Sequence, residues 1–345
     1  TGSLLYVTDG TPAGTTPLGR FHPQHPTCVP TFEAVELGGR LFLTGNAPPW
    51  DAGTVNNTEL LVFNPDAGMV QLVRDLRPGV VSSAPAALTA VGQQLFFTAD
   101  DGVTGRNLWV TDGTSAGTRM VRDFADGGGM FPSGYLLGPS ELESPVAAGG
   151  RLFFFVGNRL WLSDGTDTGT LPTTVTSEQV TLTAVGDDVF VHEVGNGLSL
   201  RKVVRLPPSL IEERLSSPFL YFGRSVASGS RLQVGSPSPV ASGTPFGLWQ
   251  LETAVPDAGF EPVAKLVPVQ HHPRPSNLRS FQGMLVAGLD DGNRGHLITV
   301  HDAGASTAAI NLAPWDIVPL SDALVWLSSG GLFGYDGGQL LPVGT

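Results

Sequence analysis

The chain contains a single cysteine, Cys28, in 345 residues. That excludes an intrachain disulfide and any cysteine-based zinc cluster. The stretch before Cys28 is rich in proline and histidine and has neither an apolar run nor a catalytic setting, so the thiol is read as passive. Lysine is nearly absent, with Lys202 and Lys265 the only two. Charged residues make up 14% of the chain and the formal net charge is -12, so there is no basic footprint for nucleic acid or an anionic membrane. Nowhere do ~18 apolar residues run together, and residues 1–10 lack both a basic start and an apolar core, so neither membrane insertion nor an intact signal peptide is expected. A Gly-x-Ser-x-Gly elbow, a His-Glu-x-x-His helix and a glycine-rich phosphate loop are all missing.

What the chain has in quantity is Gly 45 and Pro 28, alongside 41% hydrophobic residues. Glycine and proline at that level punctuate a packed protein, which points to many short strands joined by tight turns. The strands repeat. Leu108-Trp109-Val110-Thr111-Asp112-Gly113-Thr114 recurs as Leu160-Trp161-Leu162-Ser163-Asp164-Gly165-Thr166 and as Leu5-Tyr6-Val7-Thr8-Asp9-Gly10-Thr11, with weaker copies further on. A second module, Ala87 to Thr98, precedes most copies and is echoed from Ala34 and Val146, and again from Leu182, Val226, Leu278 and Ile317. In both modules apolar β-formers flank a glycine-containing turn, the pattern of an antiparallel hairpin.

Two hairpins make four strands, and units of this kind recur every ~40 to 55 residues, which predicts an all-β chain: a β-propeller of four-stranded antiparallel blades. The expected blades span 34–76, 87–124, 145–175, 181–215, 225–267, 277–312 and 316–345 within a single domain, 1–345. The lone hairpin at 1–21 has no inner half. The blade number is therefore seven, or eight with an incomplete N-terminal blade. The run Leu95-Phe96-Phe97 is expected in a strand buried on both faces.

The residues Leu108, Trp109, Asp112, Gly113 and Thr114, their counterparts at 160–166, and Leu5, Asp9, Gly10 and Thr11 carry a specific resemblance. The hairpin is similar to the ELWxxDGT repeat of bacterial surface and secreted proteins. The resemblance covers nearly the whole chain, although 64–68, 257–259 and 302–304 keep an aspartate or asparagine and a glycine without the threonine. It implies a propeller and an extracytoplasmic location. It implies no catalytic mechanism.

The repeated turn, Asp9, Gly10, Thr11, Asp112, Gly113, Thr114, Asp164, Gly165 and Thr166, is assigned a structural role. Aspartate is expected to hydrogen-bond its own turn, glycine to take a positive φ, and threonine to start the return strand. Calcium is the cation such a turn would suit, but it takes about six to eight oxygens, more than one turn offers, so no metal and no cofactor is expected. Trp109, Trp161 and Trp249 share one strand position and are assigned to packing between blades. The paired carboxylates Asp100-Asp101 and Asp187-Asp188 are assigned to strand ends and turns.

In a four-stranded antiparallel blade both hairpin turns leave from one rim, and the second-to-third and blade-to-blade connections leave from the other. The second rim carries the insertions 46–57, 125–144, 207–222 and 268–276. Variable loops on a rigid scaffold are where binding resides. The candidate binding residues are therefore Trp50, Asp51, Phe131, Tyr135, His271, His272 and Arg274, facing a protein or glycan partner. No catalytic residue is assigned, because the first-strand residues Ala87 to Ala90 and Val146 to Ala148, expected around the channel, are small or apolar. The expected function is an extracytoplasmic binding or adhesion propeller. The alternatives are a polysaccharide-acting propeller hydrolase or lyase, and a structural spacer within a larger surface protein.

Overall fold

In the computed structural model the described residues are 33–46, 57–64, 69–79, 81–124, 145–176 and 180–193, with the strands and turns at 3–7, 16–21, 203–206, 213–215, 225–236, 247–252, 261–265, 274–281, 284–290, 295–301, 304–310, 316–319, 324–328, 331–335 and 340–344. These residues form no helix. They form seven four-stranded antiparallel sheets and one two-stranded sheet. In each four-stranded sheet the strands lie side by side in chain order, so each is a double hairpin.

The chain divides into two compact units, residues 1–7 with 17–178, and residues 8–16 with 179–345. In the first, sheet 1 consists of Ala34–Leu37, Arg40–Asn46, Thr58–Asn64 and Met69–Leu72. Sheet 2 consists of Ala86–Val91, Gln94–Asp100, Arg106–Thr111 and Arg119–Arg122. Sheet 3 consists of Val146–Ala148, Arg151–Val156, Arg159–Ser163 and Leu171–Thr176. The first strands of sheets 1 and 3 both neighbour the first strand of sheet 2.

Side chains alternate between the two faces of a strand, so one strand of sheet 2 serves two cores. Leu95 and Phe97 join Leu37, Phe42, Leu60 and Val62 of sheet 1 in one apolar cluster. Phe96, between them in sequence, points the other way and joins Leu152 and Phe154 of sheet 3. All three are at most 1% exposed, as a strand sandwiched between two sheets requires. Trp109 belongs to the cluster with sheet 1, and its indole N–H donates to the Ala99 carbonyl at 3.2 Å. Trp161 sits half-buried against sheet 2, edge-on to Phe124 at 5.2 Å and under the Arg122 guanidinium at 5.6 Å.

The last strand of sheet 2 is shorter than the sequence suggests. It ends at Arg122, two residues before the end of the expected 87–124 unit, because the Phe124 N–H leaves the ladder and donates to the Asn107 side-chain oxygen at 3.2 Å.

The second unit repeats the plan. Sheet 4 runs from Val180–Val185 through Asp188–Glu193 and Val203–Leu206 to Glu213–Leu215, and sheet 5 from Ser225–Ser228 through Arg231–Ser236 and Gly247–Glu252 to Glu261–Lys265. Sheet 6 holds Arg274–Phe281, Met284–Asp290, Gly295–His301 and Gly304–Ile310, and sheet 7 holds Asp316–Pro319, Leu324–Ser328, Gly331–Tyr335 and Leu340–Gly344. First strands again neighbour first strands from sheet 4 to sheet 7, and between sheets 4 and 5 the hydroxyls of Thr183 and Ser225 meet at 2.5 Å.

Candidate binding edge

Each sheet has two ends, and in the first unit they differ in chemistry. At the end that carries the Asp-Gly-Thr turns, the exposed polar groups of each turn bond to one another. Asp112 Oδ1 accepts from the Thr114 N–H at 2.8 Å and from its hydroxyl at 2.7 Å. The Thr114 hydroxyl accepts from Gly117 N at 2.9 Å, and the Thr114 carbonyl from the Thr118 hydroxyl at 2.6 Å. The turn of sheet 3 repeats this with Asp164, Thr166, Gly169 and Thr170. These hydrogen bonds hold the Asp112 and Asp164 carboxyls below the usual range, the threonine hydroxyl being the largest cause.

Gly113 and Gly165 both have φ +91°, where a side chain is strained. The expectation that threonine starts the return strand is corrected. Thr114 and Thr166 lie inside the turn, bracing it from within, and the return strands begin at Arg119 and Leu171.

The same turns are held by the preceding sheet. Arg40 of sheet 1 donates to the Asp112 carbonyl at 2.7 Å, and Arg119 of sheet 2 to the Gly165 carbonyl at 2.5 Å. Arg74, just past the last strand of sheet 1, reaches the Thr118 carbonyl at 2.6 Å, and Arg122 of sheet 2 reaches the Thr170 carbonyl at 3.0 Å. With donors and acceptors matched in this way, the turn end is a structural seam.

The opposite end carries the second-to-third and sheet-to-sheet connections. Its anchors are buried polar side chains that open the third strands. Glu59 in sheet 1 is fully buried and accepts from Ser83 N at 2.8 Å, the Ser83 hydroxyl at 2.5 Å and Leu76 N at 3.4 Å. Burial is the dominant effect on this carboxyl and raises its pKa, against the opposing hydrogen bonds. Asn107 holds the equivalent place in sheet 2, where it also reaches Thr104 and Asp123. Ser82 and Ala84 close the clamp on the Thr58 carbonyl at 2.7 and 3.2 Å.

Charged groups gather beside this clamp. Arg77 pairs with Asp100 at 3.0 Å. Arg106 is half-buried and donates to the Thr98 hydroxyl at 3.2 Å, and burial lowers its pKa against the opposing charges of Asp100 and Glu33. The Glu33 carboxylate reaches across from sheet 1 to Leu88 N at 2.8 Å, at a bulge in the first strand of sheet 2. Ala84 and Ala87 take φ +45° and +58° there, conformations that cost an alanine energy and persist only under such restraint. Asn57 Oδ1 is buried without a hydrogen-bond partner among the described residues. Val103, at the tip of the second-to-third connection, is 89% exposed. Asp101 folds that connection by accepting from Val103 N and Thr104 N at 2.8 and 2.7 Å.

Ser83 and Glu59 make a hydroxyl–carboxylate pair, but at 0% exposure neither is open to substrate. Among the described residues no three His, Cys, Asp or Glu side chains are grouped to hold a metal, and no helix is long and apolar enough to cross a membrane.

Of the binding residues chosen from sequence, Trp50, Asp51, Phe131, Tyr135, His271 and His272 lie outside the described residues. Arg274 opens the first strand of sheet 6, opposite Asp290 of the second strand. Asp9, Gly10 and Thr11 also lie outside the described residues. Sequence reasoning missed Glu59, Asn107, Arg106 and the four arginine contacts to the turns. The one available signal was Val-Arg-Asp, which occurs at 73–75 and again at 121–123.

No protein-family model matches the sequence, nor does any curated protein. Solved structures do match in fold. A prolyl endopeptidase superposes with a TM-score of 0.61 at 11% identity, over 90% of this chain and 48% of its own. An acylaminoacyl peptidase from Pyrococcus horikoshii gives 0.55 at 10%, over 91% of this chain and 52% of its own. The β-propeller domain of the Trilobed protease from Pyrococcus furiosus gives 0.55 at 11%, over 91% and 94%. The fold is that of a β-propeller. The chain spans about half the length of the two peptidases and nearly all of the isolated propeller domain.

Proposed function

We propose that this propeller is an extracytoplasmic binding module that presents the connection end of its sheets to a protein or glycan. The contrast between the two ends carries the reading. At the turn end the polar groups are matched within the fold. At the connection end a buried clamp on Glu59 holds the 73–85 connection against the strand that follows the 46–57 insertion, and charged and apolar side chains stand beside it. A rigid base under variable loops is the usual construction of a recognition surface. Trp50, Asp51, Phe131, Tyr135, His271, His272 and Arg274 belong to or border those insertions and supply its contacts. The extracytoplasmic setting rests on the resemblance to the ELWxxDGT repeat.

An enzymatic reading competes. The matching peptidase chains are about twice as long as this one, so it has the size of the propeller portion of a hydrolase. One experiment separates the two. The purified chain is screened against bacterial surface proteins and glycans, with Trp50→Ala and Tyr135→Ala at the insertions and Asp112→Ala at the turn end as control. Binding lost in the first two variants and kept in the third supports the proposal. Binding lost equally in all three, or no binding, overturns it, and consumption of a peptide or glycan moves the assignment to catalysis.

A further inference from the structure

Aspartate followed by glycine is the dipeptide most prone to close on itself, because glycine has no Cβ to hinder attack of its amide nitrogen on the aspartyl Cγ. The amide proton leaves with a carboxyl oxygen as water, and the resulting succinimide takes water back at either carbonyl. Reopening at one carbonyl restores aspartate, and reopening at the other leaves isoaspartate, with the main chain rerouted through the side chain. The repeated turn carries this dipeptide at Asp9-Gly10, Asp112-Gly113 and Asp164-Gly165. Burial does not shield it, since Asp112 and Asp164 are exposed.

In both described turns each reacting group is held by a partner of its own. The Gly113 N–H donates to the Thr111 hydroxyl at 2.9 Å, and the Gly165 N–H to the Ser163 hydroxyl at 3.0 Å. Those hydroxyls are fixed in turn against Thr118 at 2.7 Å and Thr170 at 2.8 Å, and all four residues are buried. The carboxylates are engaged elsewhere, on the N–H and hydroxyl of Thr114 and of Thr166. They lie over Gly117 and Gly169, where a Cβ would collide with them. The remaining Asp-Gly bond among the described residues has the same two restraints: Gly102 N donates to Asp100 Oδ1 at 2.7 Å, while Asp101 Oδ1 accepts from Val103 N and Thr104 N. We infer that Thr111 and Ser163, which hold the glycine amides, act with Thr114 and Thr166, which hold the carboxylates, to keep the exposed Asp-Gly bonds of the repeat from isomerising. Closure requires the side chain to leave Thr114 and the peptide to leave Thr111, so hydrogen bonds to a charged group break before the new bond forms. The threonine partners also hold the carboxyls below their usual range, and an ionised carboxylate is a poorer electrophile than the acid. The hydroxyl before the aspartate is thus as much a part of the motif as the one after it, and Thr8 and Thr11 supply the same pair in the N-terminal copy.

Isoaspartate at Asp112 and Asp164 is followed by mass spectrometry of peptides cut from the intact chain after storage at neutral pH. The samples are folded wild type, wild type in guanidinium chloride, and folded Thr111→Val and Thr111→Ser. In folded wild type both sites are expected to isomerise at least about tenfold more slowly than in the denatured chain. Thr111→Val removes the hydroxyl and keeps the shape, and is expected to lose most of that slowing at Asp112 and none at Asp164. Thr111→Ser, the residue that sheet 3 uses, should keep it. Equal rates in folded and denatured chain, no acceleration in Thr111→Val, or equal acceleration at both sites, as a general loosening would give, each overturn the inference. If Thr111→Val does not fold, Ser163→Ala read at Asp164, with Asp112 as the reference, makes the same decision.

Discussion

The Glu59 carboxylate takes both the N–H and the hydroxyl of Ser83, a residue 24 positions later, at 2.8 and 2.5 Å. This contact closes the 73–85 connection against the strand that Glu59 opens. Glu59→Ala strands the Ser83 and Leu76 amides in a buried site and is expected to destabilise the chain by about 3 kcal/mol in urea denaturation. Glu59→Gln keeps an acceptor for Ser83 N and is expected to cost about 1 kcal/mol. Burial raises the Glu59 pKa above 4.5, so folding favours its protonated form. Wild type should therefore gain on Glu59→Gln as pH falls from neutral through the raised value, the gain being complete below 4.5. Equal stability differences at neutral and acid pH would refute the assignment.

The turn aspartates predict the opposite trend. The Asp112 and Asp164 carboxyls are held below 3.8 by their threonine partners. Their contribution is fully present above pH 3.8 and is lost as pH falls through the lowered values. Asp112→Asn with Asp164→Asn keeps an oxygen acceptor that does not titrate. The double variant should show a flatter loss of stability in acid than wild type, measured by thermal melting between neutral and acid pH.

Gly113→Ala and Gly150→Ala separate backbone strain from collision. Both glycines have positive φ. A Cβ on Gly150 would meet nothing within 4 Å, whereas one on Gly113 would stand 2.6 Å from Arg40 Nη1 and 2.8 Å from Cζ of the fully buried Phe42. Gly150→Ala is expected to cost about 1 kcal/mol and Gly113→Ala about 3 kcal/mol. Equal losses would mean that the turn of sheet 2 does not pack on sheet 1 in solution.

The arginine contacts between sheets should be modest and ordered. Arg74→Ala removes one partly exposed hydrogen bond to Thr118 and is expected to cost about 0.5 to 1 kcal/mol. Arg122→Ala removes the bond to Thr170, an ion pair with Asp167 at 3.6 Å and the cation–π contact with Trp161, and should cost about 0.5 kcal/mol more. Denaturation of both variants tests the order, and a reversed order would show that the Asp167 and Trp161 contacts together contribute nothing.

The sheets were legible in the sequence because their signals are local. Leu95-Phe96-Phe97 and the Asp-Gly-Thr turn each declare a strand or a reversal within a few residues. The clamp was not legible, because corresponding positions hold different residues, Glu59 in one sheet and Asn107 in the next, and their partners lie 17 and 24 positions away. The threonine of the turn was misplaced for a related reason. Its hydroxyl bonds inward to the aspartate and to Gly117, a geometry that β-propensity does not report. The insertion residues of the proposed binding surface were chosen by topology alone, and all but Arg274 lie outside the described residues.

The arginines that secure each turn belong to the sheet before it, and this makes the order of the repeats part of the sequence code. Sheets 1 and 2 carry donors at Arg40, Arg74, Arg119 and Arg122, and each is followed by a sheet with an intact Asp-Gly-Thr turn. Sheet 3 has Leu171 and Thr174 where sheet 2 has Arg119 and Arg122, and the third-to-fourth connection of sheet 4 contains no Asp-Gly-Thr. Exchange of whole repeats would therefore lose these hydrogen bonds, about 0.5 to 1 kcal/mol each, wherever the neighbours do not match. A designer who transplants sheet 2 or sheet 3 into another array keeps those bonds by giving its new predecessor the matching arginines.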